Sequence, residues 1–162
     1  MKKVVVLAML LFATLTQAQV FSGKGDQKIQ VGAVFQEYAR GIQAVFDYGL
    51  GENISVGVAS GYVLGVEGDV KVKFKDAFDL KARFNANIGN VLNISDNFDL
   101  YPGLHLGLKN FGGHIGARYF FTSGFGVYSE LMVPLATYES DPVGFDKLNN
   151  QLMIALGASF NL

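Results

Sequence analysis

Ten polar side chains fall at alternate positions of otherwise apolar stretches: Asp47; Lys81, Arg83, Asn85 and Asn87; Tyr101 and His105; Arg118; Tyr128 and Glu130. Guanidinium, ammonium and carboxylate groups placed this way can pair and hydrogen-bond across a confined space, which is a structural chemistry. Nucleophilic catalysis asks more, namely a nucleophile, a base and an orienting acid within hydrogen-bond reach. The chain has two histidines, His105 and His114, and no serine is aligned with either; Ser129 has the opposite parity to Glu130. Metal binding by His105 and His114 with Asp99 or Asp141 lacks ligand spacing, and without cysteine there is no thiolate site. No catalytic residue, metal or cofactor is therefore expected.

Two further motifs carry little. Gly23-Lys24-Gly25-Asp26 lacks the spacing and following helix of a phosphate-binding loop and is read as a flexible lead-in. Asn53-Ile54-Ser55 and Asn93-Ile94-Ser95 match a glycosylation sequon, read as coincidence.

The elements that position the ten side chains follow from period-two alternation, the mark of a strand with one greasy face. The clearest is 152–162, where Leu152, Ile154, Leu156, Ala158, Phe160 and Leu162 alternate with Met153, Ala155, Gly157, Ser159 and Asn161. A tilted strand of about 9–11 residues spans a bilayer's hydrocarbon core. The same alternation predicts strands near 28–36, 41–50, 54–64, 79–89, 98–108, 114–121 and 125–133. Turns are expected at 51–53, 93–97, 109–113 and 122–124, with a polar loop over 136–150. Residues 65–78 either extend a hairpin or form a loop with a short helical turn near 75–78; they are read as a long loop. Eight strands in four hairpins result, with short turns after strands two, four and six and long loops after three and seven. Bacterial membrane barrels share that even number and loop asymmetry.

The N-terminus reads as a secretory signal peptide over 1–18. Lys2 and Lys3 precede an apolar run over 4–13, and Thr16-Gln17-Ala18 supplies small residues before a cut. Residues 19–162 then form one domain. Removing Lys2 and Lys3 from the 13 basic residues leaves 11 against 14 acidic ones, which argues against a nucleic-acid surface.

Alternation alone does not separate a membrane barrel from a soluble one of lipocalin type. The less greasy face decides. In strand three it offers Ser55, Gly57, Ala59, Gly61 and Val63, too small and uncharged for a solvated exterior but suited to a narrow lumen. The greasy face of the predicted spans carries no Lys, Arg, Asp or Glu. A basic residue there would cost about 2–4 kcal/mol at mid-bilayer. Tyr48, Tyr62, Phe98, Tyr119, Phe121 and Phe125 fall near strand ends, where aromatic girdles sit. The ten polar residues then point inward with Gln43 and His114, and folding strands six and seven about Ser123 suggests Arg118–Glu130 as an ion pair.

The stretches VFSGKGDQKIQVGAVFQ, FDYGLGENISVGVASGYVLG, FDLKARFNANIGNVLNI and FTSGFGVYSELMVPL, with the last strand, resemble small eight-stranded outer-membrane barrels of the opacity-porin and outer-membrane-protein-A type. They are most similar to uncharacterised Bacteroidota members. The resemblance implies an all-β, eight-stranded antiparallel up-and-down transmembrane β-barrel behind a cleaved signal peptide. It implies outer-membrane lipid as surroundings, and recognition by the barrel-assembly machinery through the C-terminal strand. In such barrels that strand often ends in an aromatic residue; here Leu162 is last, with Phe160 two positions before it. Two functions follow as expectations. One is a non-enzymatic envelope barrel with a plugged lumen, presenting loops 65–78 and 135–150 to an unknown external partner. The other is a narrow pore or a small-molecule- or lipid-binding barrel.

Overall fold

The computed structural model describes residues 20–67, 72–138, 148 and 150–162. The expected signal peptide and most of the expected polar loop over 136–150 lie outside these. Eight strands follow in chain order: β1 (Gln27–Gln36), β2 (Ala39–Gly49), β3 (Ile54–Val66), β4 (Phe78–Ala86), β5 (Phe98–Gly107), β6 (Asn110–Phe120), β7 (Phe125–Thr137) and β8 (Met153–Asn161). Each pairs antiparallel with the next, and β1 pairs β8, so the sheet closes with no free edge. Closure matters because an open edge would leave a row of backbone donors and acceptors unpaired.

The strands turn their large apolar residues mostly outward and their charged residues inward, the facing expected from the alternation, with Val45, Met132 and Met153 among the apolar side chains that point in. In β2, Ile42, Phe46 and Tyr48 are exposed while Gln43 and Asp47 are buried. Alternating side chains force this: once one residue of a strand points into the barrel, every second one must. Arg40 stands exposed at the margin of β2, just before a slip in the β2–β3 register. The other outward strand positions carry no Lys, Arg, Asp or Glu among the described residues.

Several boundaries differ from the sequence expectation. The reversal expected over 109–113 shrinks to Leu108 and Lys109, because β6 already begins at Asn110. β7 continues to Thr137 through Pro134, where the β6–β7 register slips between Phe111 and Gly112. Proline has no N–H for the ladder and is tolerated at such a bulge. Strand four stops at Ala86, and a one-turn helix α2 (Gly89–Leu92) replaces its expected end, so that connection is not short. Asn93 ends α2 with φ 51°, a left-handed conformation that asparagine tolerates better than most residues. In the 65–78 region, β3 runs to Val66 and a one-turn helix α1 (Phe74–Ala77) leads into β4.

The lead-in is not flexible either. Gly23 and Gly25 adopt φ near +88° and +89°, open only to residues without a side chain's constraint, and fold the segment back. Gly25 N donates to Gly49 O, and Ser22 N to the Asp26 carboxylate. Val20 and Phe21 are buried beneath the end of the barrel that carries the β2–β3 turn.

Candidate functional site

The candidate site is the lumen. At its centre Arg83 of β4 meets Glu130 of β7 as a two-pronged pair, Nη2 to Oε2 at 2.6 Å and Nη1 to Oε1 at 3.2 Å. Planar guanidinium and carboxylate match in this geometry, which is why buried pairs favour arginine. The expected Arg118–Glu130 pair does not form. Arg118 does lie opposite Tyr128 in the β6–β7 ladder, with Gly116 opposite Glu130. Its guanidinium turns instead to Asp99, its own partner in the β5–β6 ladder, through Nε at 3.0 Å and Nη2 at 2.8 Å. A directly opposed carboxylate wins over a diagonal one because it is closer and costs no side-chain stretch.

Tyr101 lies between the two arginines, its ring centroid 4.5 Å from Arg118 Cζ and 5.9 Å from Arg83 Cζ. Gly116 makes the space: a Cβ there would collide with the Tyr101 ring. Asp47 of β2 completes the centre at 3.4 Å from Arg83 Nε and 3.7 Å from Arg118 Nη1. Two guanidinium groups thus face three carboxylates, leaving this cluster one negative charge in excess.

Amides and hydroxyls join the charged groups. Asn87 Oδ1 accepts from Arg118 Nη2 at 2.5 Å, and both Asn85 and Asn87 donate to Ser55 Oγ, at 3.1 and 3.0 Å. Arg83 Nε donates to Asn85 Oδ1 at 3.4 Å, and the same oxygen lies 2.7 Å from His114 Nε2. His114 and His105 then face each other with their Nδ1 atoms 3.4 Å apart, and His105 Nε2 lies 3.2 Å from Asn110 Oδ1. Lys81 pairs with Asp79 at 2.5 Å. Tyr128 accepts from Gln43 Nε2 at 3.5 Å. Nearer the β2–β3 turn, Lys28 binds Asp26 and Asn161 and lies over the rings of Phe21 and Phe120.

The ten residues picked from the sequence therefore all lie inward, and the structure links them with residues not among the ten. Asp99, Ser55, Asp79 and Asn110 join the network, while Lys28 pairs separately with Asp26 and Asn161. Asp99 was open to discovery, since it has inward parity and folding β5 on β6 sets it against Arg118. Ser129 faces outward and meets neither histidine. Among the described residues, no three of His, Asp and Glu gather as a metal-binding set.

The outer surface complements the network. Tyr119, Phe121, Phe125 and Phe160 form a chain of ring contacts at the end holding the β6–β7 turn. Tyr62, Phe74 and Phe78 form another at the opposite end, where Phe74 and Phe78 were not expected. Between them lies the uncharged band. An apolar exterior wrapped around a charged interior is the reverse of a water-soluble barrel's polarity.

The protein is an all-β, eight-stranded antiparallel closed barrel whose interior holds an ion-pair network. The chain belongs to a family of unknown function (DUF6646), whose model matches residues 11–162. Among solved structures it is similar to Outer Membrane Protein G from Pseudomonas aeruginosa, determined in solution by NMR. That likeness has 11% identity, covers 88% of this chain and 99% of the other, and has a TM-score of 0.49. No curated protein matches the chain.

Proposed function

We propose that this protein is a non-enzymatic integral barrel of the bacterial outer membrane, with a structural role or one of presenting its loops to partners. The observation that carries the reading is its inverted polarity: lipid-compatible side chains outside, paired charges inside. In water the outward band would expose a continuous apolar surface far beyond what soluble monomers tolerate. In a bilayer the same band is stabilising, and closed strand pairing leaves no edge to hydrocarbon.

The lumen favours a plug over a passage. Arg83, Arg118, Tyr101 and Glu130 are all nearly inaccessible to solvent. The cavity beside Gln43, Asp79, Lys81, Met132 and Met153 measures about 40 Å³, room for about three waters. The regions after β3 and β7 are the candidates for contact with an outside partner. The signal peptide over 1–18, the outer-membrane address, recognition by the assembly machinery through β8 and kinship with Bacteroidota barrels belong to this same proposal.

Envelope fractionation combined with heat-modifiable gel mobility tests location and closure together. The proposal expects the chain in the outer-membrane fraction, migrating faster before boiling. Recovery as a detergent-free soluble monomer would overturn it.

A further inference from the structure

We propose that His105 and His114 bind a soft monovalent metal ion, Cu(I), with the Met132 thioether as third donor. The argument begins with the protons on the two rings. Arg83 Nε can only donate, so the Asn85 atom it contacts at 3.4 Å is the amide oxygen. That oxygen also lies 2.7 Å from His114 Nε2, which must therefore carry the hydrogen. Asn110 turns its amide nitrogen to Asn150 Oδ1 at 3.3 Å, and so its oxygen to His105 Nε2 at 3.2 Å. With both amides in these orientations, His105 Nε2 is also the donor.

Both neutral rings thus present a bare Nδ1 lone pair, and these two nitrogens face each other at 3.4 Å. Two acceptors at that distance repel unless a cation lies between them. The arrangement has the form of a metal edge. Ligating histidines generally donate their other ring N–H to an oxygen that fixes tautomer and orientation, as Asn85 and Asn110 do here. Glycines give the rings their space: a Cβ on Gly103 would strike His114, and one on Gly112 would strike His105.

The choice of ion follows from what surrounds the pair. Met132 stands directly opposite His114 in the β6–β7 ladder, both pointing inward, and Met153 is its partner across β8. Directly opposed side chains start about 5 Å apart at Cβ, within reach of a flexible thioether. Thioether and imidazole together select soft Cu(I) over hard cations. Zinc favours four ligands with anionic or imidazole donors, and no third His or acidic side chain joins the pair among the described residues. Met132 and Met153 also line the 40 Å³ cavity.

The test titrates the detergent-extracted, folded full chain with Cu(I) under anaerobic, reducing conditions against a chromogenic Cu(I) chelator. Nitrogen NMR of the imidazoles is followed in parallel. The expected result is one Cu(I) per chain with both Nδ1 signals shifted. His105→Gln and His114→Gln should each weaken binding by about 100-fold and Met132→Leu by about 10-fold, while gel mobility shows each barrel closed. Should a variant fail to fold, the native chain's Nδ1 shifts decide alone. The proposal is overturned by absent saturable binding, by binding that survives in folded His105→Gln, by Zn2+ binding as tightly, or by NMR showing a shared proton insensitive to Cu(I).

Discussion

Arg83 holds Glu130 by two hydrogen bonds, Asn85 by a third and Asp47 by charge. Truncating it would strand the Glu130 carboxylate in the buried interior and leave Asp47 with Arg118 alone, and an uncompensated buried charge is strongly destabilising. Arg83→Ala is expected to cost about 3–5 kcal/mol, read from the urea midpoint of the barrel folded in detergent. The double change Arg83→Met with Glu130→Leu should cost less than Arg83→Ala alone, because both charges leave together. A double variant at least as unstable as the single would show that the pair acts by something besides compensation. Gly116→Val should block folding, since the Tyr101 ring occupies the space a side chain would need. At this scale the sequence announced which residues point inward but not which ones meet. Glu130 had two arginines within plausible reach, and the choice of Arg83 depended on β4 and β7 facing each other across the barrel, a distance no hairpin reveals.

Strands were legible from alternation because each has one largely apolar outward face and one packed against the lumen. The facing carries a direct test. Leu104→Arg should impair insertion by about 2–4 kcal/mol, because it puts a cation on the outward face of β5. Glu52→Arg, in the exposed β2–β3 turn, should leave insertion unchanged. Equal yields in a liposome-insertion assay would contradict the inside-out assignment. The ends of elements were less legible. At 87–93 alternation continues through Ile88 and Gly89, yet the chain turns into α2, because the Asp99 carboxylate accepts from Gly89 N and anchors the helix start. Asn93→Val should then cost about 1–2 kcal/mol in the same unfolding assay and Asn93→Gly close to nothing, because only the first is strained at φ 51°.

At the scale of the whole barrel, the network, the cavity and the folded lead-in bear on whether anything passes through. Val20 and Phe21 lie under one end, and Phe21 O accepts from Asn90 across that mouth at 3.3 Å. Above them the Arg118–Tyr101–Arg83 stack lies buried in the lumen. The native chain in a planar bilayer is therefore expected to show no steady openings. The double change Arg83→Ala with Tyr101→Ala, which empties the middle layer, should raise conductance if it folds. Steady openings of the native protein would instead favour the pore reading.

Fold class, strand facing and the polar character of the lumen were determined by the sequence, because alternation is a local property that survives without knowledge of partners. The identity of each ion pair, the histidines meeting at Nδ1, the helix after β4 and the ordered lead-in were decided by tertiary structure. Closing eight strands into a cylinder brings residues from distant strands to a common axis. There, distances of a few tenths of an ångström and the room left by opposing glycines select one partner among several.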